Sequence, residues 1–394
     1  MIRCLCTILL LCGSAPLAAQ TAVPDVTVLE RAAEDGDLSA QLALAAAYHQ
    51  GNGMVQNYAR AAEIYARVAE AGDATAQNAI GRYYHAGLGV AVDTENALRW
   101  LKAAADQGDP QHIYDYASAV ENTDPAQAAA LYERASAAGH LKAAVSLGVL
   151  YQHGTGIPQD FEKARTLYQT AADAGDARAQ NNLGLLFVRG DGVEQDYARA
   201  AALFSASAKQ GLRPAMTNLG VMYANGFGVS QSDTEAARLT RLGAGVDDSE
   251  PQQQAGESFL YDSRLNPPNS ATSGSIEQAA MAGDPLAQFQ FAYLLVTSPD
   301  LNHAGWRRAA ALFRSGAEKG HPPAMVNLAQ LYVTGRGVPQ DYVLAQMWLL
   351  RARAAGLQDA EAIGVDLQGR MTAAQINDAQ ARAALISGDY ESKL

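Results

Sequence analysis

The side chains able to do chemistry are few, and they recur at a fixed interval. Asn182, Asn218 and Asn327 each stand directly before a leucine that glycine or alanine follows. A carboxamide carries a donor and an acceptor side by side, so it can hold both polar groups of an extended backbone. On equivalent helices the three asparagines would line one surface, a candidate partner-binding groove. The alternative is a solvated or structural asparagine of a repeat consensus. His49 and His85 share a slot two residues before a loop glycine, and His153 lies one position nearer. Stacking would bring the first two close enough to consider a metal. No His-Glu-x-x-His and no second histidine at i+4 occurs, so polar loop-entry residues account for them and no metal is assigned.

The remaining chemistry is thinner. Six G-x-G pairs, Gly51/Gly53, Gly87/Gly89, Gly154/Gly156, Gly190/Gly192, Gly226/Gly228 and Gly335/Gly337, have the look of phosphate loops. No strand-like run precedes them, and their recurrence marks them as turn glycines. Acidic residues form no pair of fixed geometry, so no general acid or base can be named. No catalytic residue and no cofactor is expected. Trp100, Trp306 and Trp348 fall in helical stretches and read as core.

Cys4, Cys6 and Cys12 are the three cysteines, all inside an N-terminal segment with Arg3, an apolar run and the small residues Ala15, Ala18 and Ala19. That order is an export signal, residues 1–19, cleaved near Ala19/Gln20. The location expected is periplasmic. A lipoprotein through Cys12 is disfavoured, because Leu11 stands where a small residue belongs. The mature chain would then contain no cysteine, hence no disulfide, thiolate nucleophile or cysteine metal site. The formal charge of −12 argues against nucleic acid and anionic membrane surfaces. No later segment is apolar enough to span a bilayer.

The elements that position these residues follow from self-similarity. Gly36, Gly72, Gly108, Gly139, Gly175, Gly211, Gly283, Gly320 and Gly356 mark unit ends, mostly 36 residues apart. Within Asp176–Gly211, Ala179, Leu183, Gly184 and Phe187 share one helical face, and Gly184 leaves room for a second helix presenting Ala200, Leu203, Phe204 and Ala208. A helix-interior glycine costs about 1 kcal/mol relative to alanine, so close packing must offset it. Asp196 suits an N-cap and Gly211 a left-handed C′ position. His140 and His321 stand at N-cap slots. Such a hairpin cannot cover its own apolar face, and stacked hairpins can. The fold class is all-α: a right-handed α-α superhelical solenoid of helix-turn-helix repeats.

Three departures break the period. Asn122-Thr123-Asp124-Pro125 and Thr297-Ser298-Pro299-Asp300 replace G-x-G loops, and residues 244–274 form an acidic Pro/Ser/Gln-rich linker. Its apolar island, Phe259-Leu260-Tyr261, either packs back on the solenoid or serves as a partner-binding or protease-sensitive element. Ser275–Asp284 parallels Val28–Asp37, a second start. The organisation expected is a repeat block at 28–243 with about six repeats, the linker, and a block at 275–394 with about two repeats and terminal helices. Thr372 and Gln375 make a capping box before the last helix.

The pattern Ala143, Leu147, Gly148, Tyr151, Gly154, Gly156, Asp160, Lys163, Ala164, Gly175, and again Ala215, Leu219, Gly220, Tyr223, Gly226, Gly228, Val229, resembles the Sel-one-like repeat family, relatives of the tetratricopeptide repeats. The resemblance implies an α-solenoid whose inner face, lined by first helices, binds other proteins. It further implies a scaffold or regulator of envelope machinery, such as exopolysaccharide secretion, flagellar assembly or envelope signalling, with an envelope protein as partner. A cysteine-rich branch is linked to β-lactam binding. Without cysteines in the mature chain, a β-lactam- or peptidoglycan-directed hydrolase is the lesser alternative, beside a glycan-binding module.

Overall fold

The computed structural model describes residues 26–51, 53–245, 259–268, 272–298 and 301–391, with side chains to 385. The expected export signal, most of the acidic linker, and Pro299 and Asp300 of the second irregular loop lie outside the described residues. Among the described residues there are twenty α-helices and no strand. A single helix α1 (Val26–Glu34) precedes six hairpins. These are α2/α3 (Leu38–Gln50, Tyr58–Glu70), α4/α5 (Ala74–Ala86, Thr94–Ala105), α6/α7 (Pro110–Val120, Pro125–Ala137), α8/α9 (Leu141–His153, Phe161–Asp173), α10/α11 (Ala177–Arg189, Tyr197–Lys209) and α12/α13 (Arg213–Asn225, Asp233–Gly243). Another single helix α14 (Ser273–Met281) precedes α15/α16 (Pro285–Val296, His303–Glu318) and α17/α18 (Pro322–Thr334, Tyr342–Ala354), and α19 (Asp359–Gln368) and α20 (Ala373–Glu391) complete the chain.

Local chemistry sets the helix ends. Asp73, Asp160, Asp176, Asp196, Asp284 and Asp341 each accept a bond from the backbone N–H three residues on. Each such cap contributes about 1 kcal/mol. His140 caps α8 through Nδ1, whereas His321 holds the same backbone position without capping. Thr372 and Gln375 exchange bonds at the start of α20.

The two glycines of each loop do different work. The first closes the helix in the left-handed region, as Gly190 does at φ +78° with its N–H on the Leu186 carbonyl. The second is where one hairpin rests on the one before. A Cβ on Gly228 would fall 2.2 Å from the Tyr197 carbonyl, and one on Gly156 would fall 2.5 Å from Pro125. Gly89, Gly192 and Gly337 press in the same way on Tyr58, Phe161 and Trp306. Each seat is the start of the preceding second helix. The helix-interior glycines admit side chains, since a Cβ on Gly148 or Gly184 would meet the ring of Tyr168 or Phe204 at 2.5 or 2.7 Å. Tyr168, Leu183, Leu186 and Phe204 are buried there, each worth about 1.5–3 kcal/mol.

Two recurring glutamines knit the units. Gln41, Gln77, Gln180 and Gln288 donate to carbonyls of the helix before their own. Gln56, Gln159, Gln195, Gln231 and Gln340 reach back across their own loops to the end of the first helix. Ser207 is fully buried and donates to the Ala177 carbonyl at 2.7 Å. Trp348 is buried, but Trp100 and Trp306 are only partly so.

The last helix does more than cover the end of the stack. Helix α20 packs on α18 and also reaches α3. Asn377 grips the second glycine loop, Nδ2 donating to the Gly87 carbonyl and Oδ1 accepting from Gly89 N–H, both at 2.8 Å. Gln380, buried, accepts from Tyr58 N–H at 2.8 Å and donates to Gln56 at 3.1 Å. Ile376 enters the core formed by α2, α3 and α4. The two ends of the array therefore meet.

Gly211→Ala, at φ +87° with open space around it, should cost about 1 kcal/mol. Gly228→Ala must also displace the Tyr197 backbone and should cost about 3 kcal/mol; thermal melts of the two variants compare them directly. Gln380→Ala leaves the Tyr58 N–H unpaired in a buried seam and should cost about 1–3 kcal/mol in urea unfolding.

Candidate functional site

One position on each first helix governs what that helix shows to the outside. It lies six residues beyond the N-cap; it is Ala43 and Ala79 in α2 and α4, and polar in the other six, as Asp115, Ser146, Asn182, Asn218, Gln290 and Asn327. In α17 this residue holds a backbone. Asn327 Oδ1 accepts from Leu260 N–H at 2.7 Å and Nδ2 donates to the Leu260 carbonyl at 2.9 Å. Asn327 is wholly buried beneath that segment. In α15, Gln290 Nε2 donates to the Tyr261 hydroxyl at 2.9 Å and to the Asn266 carbonyl at 3.2 Å.

The apolar island of the linker thus lies along α15 and α17. Phe259 packs between Trp306 and Phe313 of α16, with ring centroids 6.0 and 6.3 Å away. Tyr261 packs on Phe289 and Tyr293 of α15 at 5.9 and 4.8 Å. Trp306 is half-exposed because it forms the wall beside Phe259 rather than core. A turn follows, with Leu265 N–H on the Asp262 carbonyl and the Tyr261 hydroxyl donating to Asn266.

Asp262 anchors this turn. Its carboxylate accepts two bonds from the Arg264 guanidinium at 2.8 and 2.7 Å and one from His321 Nε2 at 2.9 Å. Arg264 foremost, with His321 in support, holds the Asp262 carboxyl below the usual carboxylate range even though burial opposes it. His321 goes the other way: burial lowers its pKa, and the carboxylate only partly compensates. His321 is thus held as neutral imidazole with Nε2–H toward Asp262, and its Nδ1 is buried without a partner.

Asn182 and Asn218 sit at the same slot in α10 and α12, half-exposed. Asn181 joins them, accepting from Asn218 Nδ2 at 2.9 Å and donating to Asn182 Oδ1 at 3.3 Å. Asn182 and Asn218 therefore belong to one polar row, while Asn327 belongs to another that is already covered. Asp115 continues the theme in α6, accepting from Asn78 and Gln111. His49 bonds to the Tyr83 hydroxyl at 2.7 Å instead of approaching His85, and burial lowers its pKa. Among the described residues no group of three or more His, Cys, Asp or Glu side chains is placed to hold a metal. Gln290, Asp262 and His321 are site residues that motif reading passes over. Gln290 was accessible by counting six residues from Asp284, but the pairing of Asp262 with His321 spans 59 positions and leaves no local trace.

The chain belongs to the Sel1 repeat family, whose sequence model matches residues 38–73, 74–109, 113–140, 141–176, 177–212, 213–244 and 322–357. Sel1 repeats mediate protein interactions. The fold is similar to that of c5321, a protective antigen present in uropathogenic Escherichia coli strains displaying an SLR fold. The two are 24% identical over 93% of this chain and 87% of that one, with a TM-score of 0.50. A Sel1 repeat protein from Oxalobacter formigenes is 26% identical over 57% of this chain and 100% of its own, with a TM-score of 0.51. No curated protein matches the chain. Among the described residues no helix is long and apolar enough to cross a membrane.

A histidine whose folded-state pKa lies below its unfolded value of 6.5 makes the unfolded chain the better proton acceptor. Stability should therefore be full above pH 6.5 and decline as pH falls through that value. His321→Gln should flatten this decline, read as melting temperature between pH 7.5 and 5.5; His49 and His140, lowered in the same sense, supply the remainder.

Proposed function

We propose that this protein is a non-enzymatic scaffold of the bacterial envelope, acting in the periplasm and binding a partner protein along its first-helix face at Asn182 and Asn218. The observation that carries the reading is the grip of Asn327 on Leu260. It engages both polar groups of one residue and neither side chain, which suits a surface that takes up extended protein segments. The same slot in α10 and α12 presents the same carboxamide, half-exposed. The export-signal pattern at 1–19 supports the location, and the family's role in protein interactions supports the class.

The glycan reading has less behind it. The ring three residues before each G-x-G pair packs against the core of the stack: Phe187 and Tyr332 are buried and Tyr48, Tyr84, Tyr151 and Tyr223 half-buried. Sugar-binding surfaces need such rings exposed.

Site-specific photo-crosslinking from Val221, exposed on α12, should trap a discrete envelope protein. The double variant Asn182→Ala/Asn218→Ala should reduce that adduct at least tenfold while leaving the melting temperature within a few degrees. Equal trapping by both proteins would remove the asparagine row from the binding face.

A further inference from the structure

The segment 259–268 is seated on α15–α17 as a ligand is seated on a receptor. Its backbone is read by one carboxamide, its two rings fill two aromatic sites, and its acid meets a histidine. Nothing in this contact set is intrinsic to a hairpin of the repeat, because α2/α3 through α12/α13 fold and stack without such a segment. Leu260 contributes its N–H and carbonyl to Asn327, so the central residue is read through backbone, while Phe259 and Tyr261 supply selectivity. We propose that the α15–α17 face is a peptide-recognition site occupied in cis, and that its intended occupant in trans is an extended segment of a partner protein with the order aromatic, aliphatic, aromatic, acid. The inference rests on the protein-binding reading above but concerns a different face and different residues.

The physical consequences are specific. A tethered segment competes at an effective concentration on the order of millimolar. A partner segment must displace it, so the site is screened against weak ligands. Selectivity comes from the ring sites. Phe259 requires space bounded by Trp306 and Phe313, and the Tyr261 position requires a ring that meets Tyr293 edge to face and carries a hydroxyl to accept from Gln290. The acid position is set by His321 Nε2, with Arg264, which travels with the segment, as its second partner.

The probe is a fluorescent synthetic peptide with the sequence of residues 259–268, titrated by anisotropy against the full chain. The double variant Phe259→Ala/Tyr261→Ala, which loosens the cis segment and leaves the receptor face intact, should bind it at least tenfold more tightly than the unaltered chain. Adding Asn327→Ala should abolish that binding, and a scrambled peptide should not bind either protein. Asn182→Ala/Asn218→Ala should leave it unchanged, so failure here is separable from failure of the α10–α12 reading. Should the double variant melt early, Asp262→Asn, which weakens the turn and the segment's bond to His321 while leaving every receptor side chain in place, supplies the same comparison. Peptide binding absent from a folded variant with the cis segment loosened would overturn the proposal and make the segment structural packing. Exchange of the segment between two copies, seen as a concentration-dependent dimer in sedimentation, would overturn the partner assignment.

Discussion

A hairpin of this repeat has more apolar surface than it can cover, and wherever the next hairpin carries a G-x-G loop, what allows it to provide cover is a single point of backbone contact. The second loop glycine lies against the first residues of the preceding second helix, closer than any side chain would permit. That contact fixes the distance and rotation between units. The alanine-rich faces, the interior glycines at Gly148 and Gly184 and the two glutamine bonds then operate at the spacing it sets. Remove the close approach and the rest of the packing is out of register, which sets these glycines apart from Gly175 and Gly211, whose positive φ only ends a helix in open space.

The same polar device recurs wherever the periodic pattern runs out. At the end of the array Asn377 grips the Gly87–Gly89 loop through donor and acceptor. At the interruption Asn327 grips Leu260 in the same fashion. In both cases a carboxamide satisfies backbone groups that no helix pairs. Buried polar groups without partners are costly, so irregular chain laid on a solenoid needs side chains of this kind. Asn182 and Asn218 have the group without irregular chain to hold, and this contrast gives the first-helix face its functional reading.

Much of this was legible in the sequence, and the boundary of legibility is physical. Hairpins, caps and close helix crossings are written locally, because a glycine at a fixed offset from an aromatic permits only a few backbone outcomes. The equivalence of Asn182, Asn218 and Asn327 is readable for the same reason. Their different fates are not, since the cover over Asn327 comes from a segment 67 positions away with no periodicity. Nor is the bond from Asn377 to a loop 288 residues distant. The apolar face of α20 would read identically whether it sealed an end or joined one. The spacing of the second glycine marks it as a turn residue, and its φ is positive, yet its contact with the preceding unit is a tertiary fact that φ alone does not imply.

The meeting of α20 with α3 has a bearing on how this array frays. Stacked repeats with two free ends lose structure by fraying inward, each terminal unit being held on one side only. Here α20 is bonded to α3 and to the loop after α4, so fraying of the last helix must first break bonds to the first two hairpins. The array is thereby tied across its first and last parts as well as along its stack, so the last helix is held by two neighbours where an ordinary terminal repeat has one.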